Sequence, residues 1–229
     1  VTLRSRFLPE GRLLHTPENE AACASCDGLR RAMEEGTVLE GLAQLCDGAH
    51  NLLVSVGPFT GFLPREEAAL GIAEGTTREI AILSRVGKPV CFQITALEES
   101  GGVLRPRLSR RRAQQAALDA MLAGLHPGCI LPAVVTHLES FGAFVDIGCG
   151  VPSLIGIENI SVSRIPHPDQ RFRVGQAIFA VVQELDPKLG RVYLTHRELL
   201  GTWLENASLF APGDTVQGIV RGIQDYGAF

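Results

Sequence analysis

No run of apolar residues in this sequence approaches the roughly 18 needed to cross a bilayer as a helix. The first residues, VTLRSRFLPEGRLLHT, lack the hydrophobic core of an export signal. Charge of one sign is also scarce, with 21 Lys and Arg against 25 Asp and Glu, a net charge of −4. The strongly basic balance that would announce a nucleic-acid binder is therefore missing, although an average leaves room for local basic patches. Six cysteines, at 23, 26, 46, 91, 129 and 149, do not resemble a disulfide framework in 229 residues. Reduced thiols and a cytoplasmic location are the expectation. Motifs of catalysis are wanting as well. The Gly pair at 101–102 lacks the Lys of a phosphate-cradling loop, and neither a Gly-x-Ser-x-Gly elbow nor a supported carboxylate pair occurs. A non-catalytic protein without cofactor is expected.

What the sequence does have is Gly and Pro, 25 and 13 residues, punctuating short apolar stretches. It also has an internal repeat. PGCILPAVVTHLESFGAF (127–144) lies over PGDTVQGIVRGIQDYGAF (212–229) without gaps, with Phe141 on Tyr226 and Leu138 on Ile223. The sequence is thus expected to stop inside a further copy, and the missing initiator Met suggests trimming at the other end. Within the complete copy, CILPAVVTHLE, AFVDIGC, PSLIGIENI, QAIFAVVQELD and RVYLTH read as five short strands of a small antiparallel barrel. A weaker copy precedes it, and the helix-like stretches RRRAQQAALDAMLAGL and RELLGTWLENASLF follow the two units.

Strand parity assigns faces. In AFVDI, Val145 and Ile147 share the core side, so Phe144 and Asp146 point outward, with Asp146 expected in water. Gly142 and the hairpin break the count, which lets Phe141 reach the same patch as Phe144. On the last strand Arg191 and Tyr193 alternate with Val192 and Leu194 and should face outward. Exposed rings beside arginine suit single-stranded nucleic acid, whose bases stack while guanidinium groups meet phosphates. Packing of the same rings on a neighbouring barrel or connecting helix is the open alternative.

Residues 128–195 closely resemble the S-one RNA-binding domain, the five-stranded OB-fold repeat of a bacterial small-subunit ribosomal protein. The carrying residues are Gly128, VVTHLESFGAFVDIG, SLIGIENIS, FRVGQAI and ELDPKLGRVYLTH. The resemblance implies a mainly β chain of tandem five-stranded OB-fold barrels joined by short helical connectors. Its implied organisation is an extension at 1–35, a divergent barrel at 36–112 and a helical linker at 113–126. A full RNA-binding barrel at 127–198, a second helical linker at 199–211 and the start of another repeat at 212–229 follow. Tandem units with THRELLGTW-type connectors look like the ribosomal-protein-S-one-like proteins of Gram-positive anaerobes. By the same resemblance, Phe141, Phe144, Asp186 and Arg191 would form the RNA face, and Gly156 stands where the family has His. His137 could lie near that patch or be a surface residue without a role.

In the last copy Tyr226 and Phe229 restore the aromatic pair, with Arg221 nearby. The first copy has CDGAH (46–50) where the motif aromatics should stand, with neither Phe nor Tyr. Its compensation could be Arg105, Arg107, Arg110, Arg111 and Arg112 as phosphate contacts, or these could be a solvated helix start paired with local Glu. Cys23 and Cys26, with Cys46 and His50, could supply four tetrahedral zinc ligands, but ordinary free thiols are favoured and no metal is assigned. The expected partners are single-stranded RNA and the small ribosomal subunit, with no membrane. Protein-binding adaptor barrels, or an RNA-targeting portion of a longer enzyme, are the alternatives.

Overall fold

The structure, a computed structural model, describes residues 7–215, 220 and 222–228. Arg221 and Phe229 lie outside the described residues. After a segment of turns and bends come α1 (Pro17–Cys23) and α2 (Cys26–Glu35). The first barrel follows, built from β1 (Leu39–Cys46), β2 (Leu52–Val56), β3 (Phe59–Leu63), a short helix α3 (Ile80–Leu83), β4 (Pro89–Ser100) and β5 (Val103–Ser109). Helix α4 (Arg110–Gly124) leads to the second barrel, β6 (Ile130–Glu139), β7 (Gly142–Asp146), β8 (Pro152–Gly156), β9 (Ala177–Asp186) and β10 (Arg191–Thr195). Then come α5 (Trp203–Ala207) and a two-stranded piece, β11 (Ile223–Gln224) with β12 (Gly227–Ala228).

Both barrels are closed and share one strand order, β1-β2-β3-β5-β4 and β6-β7-β8-β10-β9. Each closes through one parallel pairing, β3 with β5 and β8 with β10. Even the irregularities recur. A bulge falls between Ala43 and Leu45 in β1 and between Val135 and His137 in β6. Another falls at Ile94/Ala96 and recurs opposite Tyr193/Leu194. Bulges re-aim strands and increase their twist, so the two OB-fold barrels redirect their strands at corresponding places.

The alternation read from the sequence fills the interiors. Val135, Ala143, Val145, Ile155, Val182, Val192 and Leu194 are buried in the second barrel, and Leu52, Val54, Leu63, Phe92 and Leu108 in the first. Of the extension that the sequence left unassigned, the two helices belong to the first barrel. Thr16 caps α1 by accepting from the Asn19 amide, and Ser25 caps α2. Cys23, Leu29 and Ala32 then join the first core. Helix α4 starts at Arg110, inside the stretch expected to be wholly barrel, because Ser109 accepts from the Arg112 amide as its N-cap. Its buried stripe of Ala113, Ala117 and Met121 packs with the core of the second barrel. Gln114 links the units, accepting from the Leu70 amide at 2.9 Å and donating to the Gly150 carbonyl at 2.8 Å.

One expectation fails here. Asp146 is not in water: it is 5% exposed. The chain segment around Glu10 crosses that end of β7 and covers it. Asp146 accepts from the Glu10 amide at 2.7 Å and from the Gly148 and Gly150 amides at 2.8 and 2.9 Å. The Glu10 carboxylate is clasped by the Arg110 guanidinium at 2.6 and 2.9 Å, by Arg85 at 3.0 Å and by the Cys91 amide at 3.1 Å. Glu40 takes the amides of Gly11, Leu13 and Leu14. A side chain at Gly150 would collide with Arg110 and Glu10, its Cβ lying 2.0 Å from a guanidinium nitrogen. Residues 8–14 therefore staple the two barrels together through buried charge.

Burial by itself would raise the Glu10 carboxyl, but the Arg110 and Arg85 charges carry it below its ordinary range. Burial, and then the Glu10 charge, push Asp146 from an ordinary 3.8 up to about 7. Burial also raises Glu40. Replacing Glu10 by Gln leaves two guanidinium groups facing a neutral amide. It should cost about 3–5 kcal/mol of unfolding free energy in a denaturant titration, as breaking one side of a buried ion pair does. A loss below about 1 kcal/mol, the value of an exposed pair, would refute the staple. The folded state holds a proton on Asp146 that the unfolded chain has already released, so stability should fall as pH rises from about 4 to about 7. Denaturant midpoints across that range check it, and Asp146→Asn should flatten the slope.

Candidate nucleic-acid interface

The motif hairpin depends on one absent side chain. A Cβ at Gly142 would lie 2.4 Å from the Ile155 carbonyl, so only glycine lets β7 approach β8 this closely. The amide of Ile157 donates to the Phe141 carbonyl at 3.0 Å and fixes the turn. On this frame the rings converge. Phe141 and Phe144 meet edge to face at 6.0 Å, and His137, paired with Phe144 across the strands, lies 6.3 Å from it. These are the separations at which aromatic pairs attract. Phe141 is 54% exposed, Phe144 is half-buried, and His137 is exposed with its Nε2 2.7 Å from Glu139.

The ladder register extends the patch. His137, Phe144, Leu154 and Tyr193 are successive partners across β6, β7, β8 and β10, so their side chains share the outer face. Tyr193 is half-buried in this row. Parity had turned it outward, but only the parallel β8–β10 pairing brings it into line with Phe144. On a neighbouring rung Arg191 pairs with Asp186. Arg191 is exposed and forms no ion pair among the described residues. Asp186 accepts from the Lys188 and Leu189 amides at 3.0 Å each, so its carboxylate shapes the turn that presents Arg191. Gly156 lies opposite Gly142, leaving a gap beside Phe144, and the Glu158 carboxylate occupies part of the space a side chain there would need.

The arginines at 105–112 do not form one patch. Arg110 is withdrawn from phosphate contact by burial and by Glu10. Arg111 is ion-paired with Glu67 at 2.9 Å, whereas Arg112 is exposed on the first turn of α4. Arg105 and Arg107 project outward from β5, with Arg107 3.4 Å from Glu98. The cysteines do not converge on a metal site either. Cys23 is buried in the first core, its thiol pushed up to about 11 by burial, whereas Cys26 is exposed. His50 lies 3.3 Å from Glu79. Among the described residues no three His, Cys, Asp or Glu side chains gather to hold a metal. Tyr226, 82% exposed, marks the turn between β11 and β12.

The second barrel matches a known family. Residues 125–197 match the family described as the S1 RNA binding domain. The small ribosomal subunit protein bS1 of Neisseria meningitidis is 28% identical over 236 residues, covering 100% of this chain and 40% of that protein. The bS1 of Leuconostoc lactis is 31% identical over 184 residues, covering 78% of this chain and 41% of that protein. The chain thus spans about two fifths of the length of these relatives. Among solved structures, GSP13 from Bacillus subtilis aligns with a TM-score of 0.32 and 16% identity, over 44% of this chain and 89% of that one. Residues 125–197 are therefore an S1-type domain, in a chain of two closed five-stranded barrels that is similar to the small ribosomal subunit protein bS1.

Proposed function

We propose that this chain binds single-stranded RNA, without catalysis, on the outer face of its second barrel, and that it works in the cytoplasm with the small ribosomal subunit. The observation that carries the reading is the convergence of Phe141, Phe144 and His137 on one open sheet face, bordered by Tyr193 and Arg191. Flat rings accept the face of any base, and an unpaired guanidinium accepts phosphate, so such a surface favours unstructured strands over particular sequences. Asp186 orients the turn before Arg191. In the third unit Tyr226 would continue the series, together with Arg221 and Phe229. An adaptor role would have the aromatic patch covered by helices, whereas Phe141 is more than half exposed. Among the described residues no helix is long and apolar enough to cross a membrane. The match to an RNA-binding family and the likeness to ribosomal proteins support the assignment.

Replacing Phe141 and Phe144 together by Ala removes two stacking surfaces worth roughly 1–3 kcal/mol each. Affinity for a labelled oligouridylate should fall at least about tenfold, while the thermal unfolding midpoint stays close to that of the parent. Unchanged affinity in the folded variant refutes the assignment. Affinity should also fall steeply between low and moderate salt, in proportion to the number of phosphates neutralised.

Gly156 offers the opposite test. Its backbone lies in an ordinary negative-φ region (φ −59), and the obstacle to a side chain is the mobile end of Glu158. A Gly156→His/Glu158→Ala variant should bind the same oligonucleotide about threefold or more tighter than Glu158→Ala alone, through one added ring. Equal affinities would show that the gap beside Phe144 is not a base position.

A further inference from the structure

Because strand order and bulges coincide, the two barrels can be aligned rung by rung. The row His137, Phe144, Leu154, Tyr193 in the second barrel corresponds to Leu45, Leu53, Phe62, Arg107 in the first. One rung away, the Arg191–Asp186 pair corresponds to Arg105–Glu98. The first barrel therefore has an aromatic ring on its outer face, moved one strand over from the hairpin to β3. Inspection of CDGAH alone misses it.

Phe62 is half-buried and outward, beside the equally outward Leu53 and the half-exposed Leu45. On the adjoining strand Arg105 and Arg107 are both exposed and two residues apart, hence on the same face. Glu98 is the carboxylate that faces them. Its ion pair with Arg107 involves side chains 45% and 56% exposed, and pairs of that kind hold so weakly that a phosphate can replace the carboxylate. At the position corresponding to Phe141 stands His50, held by Glu79, so the hairpin offers no second free ring.

We propose that the outer face of the first barrel is a second contact site for single-stranded RNA, with one base stacked on Phe62 and the flanking phosphates met by Arg105 and Arg107. The inference rests on the reading of the second barrel but occupies a separate surface. A ring beside two guanidinium groups matches a polyanion with exposed bases, which is what decides against a protein partner here. One stacked base predicts a weaker site than the second barrel, and it lengthens the stretch of RNA the chain can hold.

The test uses the full 229-residue chain in two backgrounds, the parent and the Phe141→Ala/Phe144→Ala variant. Phe62→Leu is the probing substitution, chosen because Leu154 fills the corresponding place in the second barrel and the fold accepts it. In the variant background it should weaken binding of a labelled oligouridylate by about fivefold or more. In the parent, irradiation of a bound 5-iodouridine oligonucleotide should leave a photoadduct on Phe62, mapped by mass spectrometry. Adducts confined to the second barrel, or affinity unmoved by Phe62→Leu in either background, overturn the proposal. If Phe141→Ala/Phe144→Ala leaves affinity unchanged while Phe62→Leu lowers it, the second-barrel reading fails and this one stands.

Discussion

The contact on which the arrangement depends is the buried carboxylate of Glu10. It meets Arg110 at the start of the connecting helix, Arg85 from the first barrel and the amide of Cys91 on β4, while its own amide donates to Asp146 of the second barrel. Two guanidinium groups face three carboxylates, those of Glu10, Glu40 and Asp146. The surplus negative charge is relieved by backbone amides and by the proton that burial favours on Asp146. Removing Glu10 or Arg110 leaves uncompensated charge in a dry site, so the barrels are tied by a constraint with few permissible variants. A fixed junction also fixes where the two outer faces stand, which matters if one flexible strand is to lie on both.

The fold was legible because it follows from period and punctuation. Val145, Val192 and Leu194 alternate with outward residues, and Gly142 marks the point where two backbones nearly touch. The junction was not legible. Glu10 and Asp146 are 136 residues apart, and neither sits in a pattern that announces burial. Parity correctly assigned Asp146 to the same side of β7 as Phe144. It could not say that this side is open at one end of the strand and covered at the other. The face of a strand is a local property, whereas its exposure is set by whatever else the chain brings there.

The candidate site divides the same way. Phe141 and Phe144 could be read from a motif, and His137 from its neighbourhood in sequence. Tyr193 needed the parallel pairing of β8 with β10, a long-range fact with no local signature. Arg110 shows the reverse error. Five arginines between 105 and 112 look like one charged surface when read in a line. A change from strand to helix between Ser109 and Arg110 turns one of them into the core of the junction and another toward Glu67.

That division bears on how the repeats diverged. An outer row of an OB barrel needs no particular side chain for folding, since its residues contribute little to the core. Core positions keep their character between the two units, with Val54 and Val145, or Leu108 and Leu194, buried alike. The outer row instead exchanges His, Phe, Leu and Tyr for Leu, Leu, Phe and Arg. Each unit still presents an aromatic on the row and an arginine on the adjoining rung. If the faces served only to separate the barrels from water, nothing would favour keeping an aromatic and an arginine together after the aromatic moved to a different strand. Stacking requires a ring and charge neutralisation requires a nearby cation, but neither requires a fixed strand. The two barrels therefore look alike where packing dictates residues, and equivalent in chemistry but not in position where a flexible polyanion would bind.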